Sequence, residues 1–86
     1  MYKILIGKKA SKFLSKLDLK SYRIISNAIK KLSNFHSEKN LDIKSLKGKY
    51  ENMTRLRIGS RRILFTVDEI NKEINIWIIE DRGDIY

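Results

Sequence analysis

The chain has 86 residues, 42% of them hydrophobic and 34% charged, with no cysteine, no proline and one histidine. That is room for one domain, and it excludes a disulfide scaffold, a thiolate metal site, a thiol nucleophile and a histidine cluster. A net charge of +9 favours nucleic acid, anionic lipid or an acidic protein as partner. Met1–Gly7 has only a short apolar run before Lys8 and Lys9, so no secretory signal is read there. No apolar stretch approaches the ~20 residues that cross a bilayer. Cytoplasmic residence without a membrane partner is the expectation.

Tyr2, Ile4 and Ile6 alternate with Lys3 and Leu5, which predicts a short strand ended by Gly7. Ala10, Phe13, Leu14 and Leu17 then recur at helical spacing. Asp18 is placed to cap a second helix, whose stripe is Tyr22, Ile25, Ala28, Ile29, Leu32 and Phe35, ending near His36. The short break between the helices predicts an antiparallel helical pair. Ser37 to Asn40 is polar loop. Leu41 to Tyr50 reads as an irregular connector anchored by Leu41, Ile43 and Leu46, with a turn at Gly48.

Three strands follow. The first covers about 52–58, with Thr54, Leu56 and Ile58 opposite Arg55 and Arg57. Gly59-Ser60 is a hairpin turn. The second covers about 61–68, with Ile63, Phe65 and Val67 opposite Arg62, Leu64 and Thr66. The third, about 74–79, is apolar on both faces, as in a central strand. Strict alternation sets Trp77 and Ile79 opposite Ile76 and Ile78, and Trp77 reads as core. The order is β-α-α-β-β-β. The fold class is α+β: an antiparallel sheet with an N-terminal helical hairpin on one face. The other face is open and carries Arg55, Arg57 and Arg62.

Charge is not spread evenly. Between Lys44 and Arg62 there are seven basic residues and one acidic residue, Glu51, and five of the six arginines lie at or beyond position 55. Arginine binds phosphate as a rigid bidentate fork. The chain ends Glu80-Asp81-Arg82-Gly83-Asp84-Ile85-Tyr86, which adds a phenol able to give or take a proton.

Leu46-Lys47-Gly48, Arg55-Leu56-Arg57, the run from Arg61 to Asp68, Ile78-Ile79 and Arg82 followed by Tyr86 together resemble the RelE/ParE superfamily of toxin–antitoxin toxins, and the RelE branch in particular. The resemblance covers essentially the whole chain as one RelE-like domain. It implies a ribosome-dependent endoribonuclease that needs no metal or cofactor and cleaves messenger RNA to inhibit translation. It also implies a RelB-like antitoxin as partner, and a toxin–antitoxin heterotetramer as the assembly. Carried over by position, the catalytic set is Arg62, Tyr86, Arg82 and Arg55. Lys47, Lys49, Arg57 and Arg61 complete the RNA-binding set. The chain departs from the pattern at Met53 and Glu80, where relatives carry basic residues, and at Ile85, where some carry histidine.

Cutting RNA without metal requires deprotonating the 2′-hydroxyl, stabilising the phosphorane, protonating the 5′-oxygen and holding the backbone in line. Arg62 suits phosphorane stabilisation. Tyr86 suits the general acid, since an ordinary phenol stays protonated at neutral pH. Arg82 binds phosphate or pairs with Asp81 or Asp84. Glu80 and Glu51 are the carboxylates nearest the basic region, as bases or as salt-bridge partners. Two other activities fit the superfamily: a ParE-like DNA gyrase inhibitor, and a non-catalytic RNA-binding or decayed toxin.

Overall fold

Alternating segments punctuated by glycine and polar turns assemble into one sheet, covered by two helices. The computed structural model describes residues 1–38, 40–48 and 52–81. β1 (Lys3–Ile6) leads into α1 (Lys8–Ser15) and α2 (Leu19–Leu32), and β2 (Asp42–Ser45), β3 (Thr54–Ile58), β4 (Arg61–Asp68) and β5 (Glu73–Asp81) follow. The sheet order is β1-β5-β4-β3-β2. β2 to β5 pair antiparallel in succession, and β1 pairs parallel with β5. A tight turn cannot join parallel neighbours, and here both helices and the other three strands separate β1 from β5 in sequence.

The α+β class and the helix and strand order stand, with two additions. The expected connector contains β2, a four-residue strand with one half-buried apolar residue, Ile43. So short an alternation gives no readable period. The sheet is also mixed rather than wholly antiparallel, because pairing direction between distant segments leaves no local mark.

Asp18 caps α2 as its position predicts, its carboxylate accepting from the Ser21 amide at 3.1 Å. The helix ends at Leu32, earlier than the stripe suggested. Beyond it the backbone tightens: Ser33, Asn34 and Phe35 amides donate three residues back, at 3.2 Å each. That tightening keeps Phe35 packed against the core, which is why the hydrophobic spacing outlasts the helix. Tyr22, expected on the buried stripe, is exposed. The β3–β4 hairpin closes through Gly59 at φ +57, with a positive φ at the first central position only, the pattern of a type II′ turn.

One side of the sheet buries Leu56, Ile63, Phe65, Ile74, Ile76 and Ile79 against Ala10 of α1 and Ile25, Ile29 and Leu32 of α2. The strands do not alternate cleanly to achieve this. Leu64 pairs with Ile78 and Phe65 with Ile76, which leaves Trp77 as an extra residue in β5. This is a β-bulge, and it shifts the parity of everything after it. Ile76 and Ile79 therefore both enter the core, while Trp77 and Ile78 lie outside it. Trp77, expected as core, is 45% exposed.

A polar latch closes the far end. The Tyr2 hydroxyl donates to Glu69 Oε1 at 2.5 Å and lies 3.1 Å from His36 Nε2, and Lys72 Nζ donates to Glu69 Oε1 at 3.4 Å. The Tyr2 hydrogen bond holds the Glu69 carboxyl below its ordinary range, and the same bond pushes the Tyr2 phenol up. Asp68 is held low by the Asn71 amides and Asp18 by Ser21.

Phe65→Ala is expected to destabilise the domain by about 3–5 kcal/mol in urea unfolding, since the ring is fully buried and leaves a cavity. The lowered carboxyls of Asp18, Asp68 and Glu69 contribute stability that is complete above the ordinary carboxylate range and lost as pH falls through their lowered values. The raised Tyr2 phenol contributes stability that is lost as pH rises through its raised value. Melting temperature should therefore fall at both extremes, and Glu69→Gln should flatten both limbs.

Candidate nucleic-acid interface

Strand alternation sorts side chains, and register then sorts them into rows. On β3 and β4, Leu56 and Ile63 turn to the helices, so Arg55, Arg57, Arg62 and Leu64 turn to the opposite face. Pairing sets Asp42, Arg57, Arg62 and Glu80 side by side across four strands. The next row is Lys44, Arg55, Leu64 and Ile78. These rows meet the end of β2 in a cleft of about 380 Å³ lined by Lys44, Ser45, Leu46, Lys47, Arg55, Arg57 and Arg62. Among the described residues that line it, five of seven are cations and none is a carboxylate.

Such a cleft is electrostatically strained. Arg57 and Arg62 are direct cross-strand partners, and like charges in that position repel. Glu80, the next residue in the row, offsets this: Arg62 Nε donates to Glu80 Oε1 at 3.0 Å. Both side chains are largely buried, at 13% and 20% exposure, so solvent screens the pair weakly. The bulge is what puts Glu80 there. With unbroken alternation from Ile76, Glu80 would point to the core side.

Arg55 is the most enclosed cation, with 7% of its surface exposed. Its Nη2 donates to Asp42 Oδ1 at a long 3.4 Å. Its Nη1 is buried and has no hydrogen-bond partner among the described residues. A buried guanidinium donor without an acceptor is costly, and an anion entering the cleft supplies one.

The structure thus gathers Arg55, Arg57, Arg62 and Lys47 of the expected site into one cleft. Arg61 is not among them. It pairs across the sheet with Ile58 and Asp81, on the side opposite Arg62, and its Nε lies 3.0 Å from Asp81 Oδ1. Lys49, Arg82 and Tyr86 lie outside the described residues, as do Tyr50, Glu51 and Ile85. Lys44 was missed as a lining residue. Its signal is the alternation Asp42-Ile43-Lys44, which becomes legible only once Ile43 is known to face inward. Glu80 serves as the counterion of Arg62. Among the described residues no group of three or more acidic or histidine side chains is arranged to hold a metal.

Glu80→Ala leaves Arg62 without its carboxylate partner and opposed to Arg57, with Asp42 remaining at the far end of their row. It is expected to lower stability by about 2 kcal/mol in low salt, and by less in high salt, in paired denaturation curves. Glu80→Gln keeps the hydrogen-bond acceptor and should lose less.

No protein-family model matches the sequence, and no curated protein matches it either. Solved structures do. A chain of the archaeal RelE–RelB complex of Pyrococcus horikoshii superposes with a TM-score of 0.78 at 26% identity, covering 95% of this chain and 96% of that one. The RelB–RelE antitoxin–toxin complex of Methanococcus jannaschii gives a TM-score of 0.74 at 30% identity, covering 95% and 94%. The isolated RelE toxin of Escherichia coli, at 11% identity, shares the fold with a TM-score of 0.73 over 94% and 84%. Likeness of fold to the toxin alone, joined to 30% identity over nearly the whole length of both chains, shows that this chain belongs to the RelE family of toxins.

Proposed function

We propose that this RelE-family toxin is a ribosome-dependent endoribonuclease that cuts messenger RNA without a metal ion and so stops translation. The observation that carries the reading is the cleft of Lys44, Lys47, Arg55, Arg57 and Arg62 on the sheet face opposite the helices. Five cations converging from three strands and a loop suit a phosphate backbone better than a small neutral ligand.

The chemistry divides among the residues. Lys44, Lys47 and Arg57 hold consecutive phosphates and keep the strand in line. Arg62 and Arg55 donate to the non-bridging oxygens as the 2′-oxygen attacks phosphorus and negative charge builds on the phosphorane. Preorganised donors of this kind are commonly the largest catalytic contribution, and losing one costs about 10²–10³ in rate. The bond from phosphorus to the 5′-oxygen then breaks, and that oxygen takes a proton. By the family resemblance Tyr86 is the proton donor and Arg82 a further phosphate contact. Glu80 is engaged by Arg62, and that ion pair sets the guanidinium's orientation.

The same family membership supports a RelB-like antitoxin as the controlling partner, since the archaeal relatives occur in RelE–RelB complexes. A mobile acidic chain that orders on the basic face would bind quickly and with strong salt dependence. A toxin–antitoxin heterotetramer is the assembly this reading carries. Among the described residues no helix is long and apolar enough to cross a membrane, and action in the cytoplasm follows from a ribosomal target.

In a reconstituted translation reaction, wild-type protein should shorten messenger RNA, with fragment ends mapping to translated codons. A chelator should leave that activity in place, and Arg62→Ala should reduce it about 100-fold or more. Intact messenger RNA at saturating toxin would overturn the proposal. A parallel gyrase supercoiling assay should be unaffected; inhibition there would move the chain to the ParE-like activity instead.

A further inference from the structure

The bulge in β5 has an effect on the outer face of the sheet as well as on the core. It leaves two consecutive residues, Trp77 and Ile78, outside the core. Trp77 is the single tryptophan of the chain, and 45% of it is exposed. Its ring is nonetheless held. Indole Nε1 donates to Thr66 Oγ1 at 2.9 Å, and Gly7 lies beside the ring, where an added Cβ would meet Trp77 Cε3 at an ordinary contact distance of 3.7 Å. A large aromatic plane, fixed in orientation and half open to solvent, is a preformed stacking surface.

Its surroundings narrow the occupant. Gly7, Lys8, Lys9, Met53, Trp77 and Ile78 line a groove of about 360 Å³. The floor is apolar, the rim carries two lysines, and no carboxylate lines it among the described residues. The first turn of α1, where Lys8 and Lys9 sit, contains no acidic residue and has no side-chain cap. Groove and cleft lie on the same face of the sheet, with the buried Leu64 between them. Ile78 lines the groove and ends the row that runs through Leu64 to Arg55 and Lys44 in the cleft. Along β5, Trp77 stands about 10 Å from Glu80, the residue that grips Arg62. A ligand filling both must carry repeated negative charge and flat apolar faces at short intervals, which describes a single nucleic-acid strand.

We infer that Trp77 is a nucleobase platform. It stacks one base of the strand whose phosphates cross the basic cleft, while Lys8 and Lys9 meet the adjoining phosphate. This rests on the RNA reading of the cleft and adds a subsite to it. Stacking tolerates sequence but favours the larger purine face at that position.

Because Trp77 is the single tryptophan, its emission reports the subsite directly. Wild-type protein is titrated at low salt with a short single-stranded RNA, with the same oligonucleotide made abasic, and with inorganic polyphosphate. Binding is followed by anisotropy and indole emission together. All three ligands should bind, and only the RNA with bases should quench the indole. Trp77→Ala, checked for native circular dichroism, should bind RNA about tenfold more weakly and polyphosphate unchanged, and Trp77→Phe should recover most of the loss. RNA binding with unaltered emission, and equal affinity in Trp77→Ala, would overturn the platform and leave the cleft reading standing. Absence of any RNA binding would overturn the cleft reading, and the platform with it. An indole that responds only to an acidic amphipathic peptide would assign the groove to a protein partner and overturn the inference.

Discussion

One extra residue in the last strand organises both sides of this sheet. Between Ile76 and Ile78 the register of β5 against β4 slips by one. Without that slip Ile79 would face solvent and the core would lose one of its buried isoleucines. Glu80 would turn inward, where an unpaired carboxylate is strongly disfavoured. With it, Ile79 fills the core, Glu80 lies beside Arg62, and Trp77 emerges on the outer face. Core packing, the charge balance of the cleft and the exposed indole therefore depend on a single local irregularity. Bulges concentrate next to functional sites because they re-aim side chains while leaving the ladder largely intact.

The cleft is built at a cost in stability. Two arginines face one another across neighbouring strands, and a third is almost wholly enclosed with one donor unsatisfied among the described residues. In a purely structural sheet each of these would be unfavourable. Asp42 and Glu80 offset part of the repulsion at the two ends of a row. They stand outside the cleft lining, so the lined surface stays cationic. This is the balance expected of a surface whose counterions arrive with the ligand.

At the opposite pole, Tyr2, His36, Glu69 and Lys72 tie the first strand to the β4–β5 turn and the end of α2. The link matters because β1 is an edge strand held by one parallel neighbour. Anchoring β1 fixes Gly7, which donates its amide to the Ile76 carbonyl at 2.8 Å and starts α1 against the bulge. The stability of the polar latch and the placement of the basic face are thus joined through β1 and β5.

The sequence alone was sufficient for the α+β class, both helices, the three C-terminal strands, the Asp18 cap and the Gly59 hairpin. Each of these follows from periodicity or from the chemistry of one or two neighbouring residues. It was also sufficient to place Arg55, Arg57 and Arg62 on one face, since alternation on β3 and β4 is unbroken, but not to show that this face is covered at Arg55 and Leu64. The fourth C-terminal-half strand, β2, the parallel pairing of β1, the partner of Arg61 and the surroundings of Trp77 and Glu80 were decided by tertiary structure. All of them depend on which segment lies alongside another and in what register. A slip of one residue there reverses a side chain's face, and no local pattern in Ile76-Trp77-Ile78-Ile79, apolar at every position, records where the slip occurs.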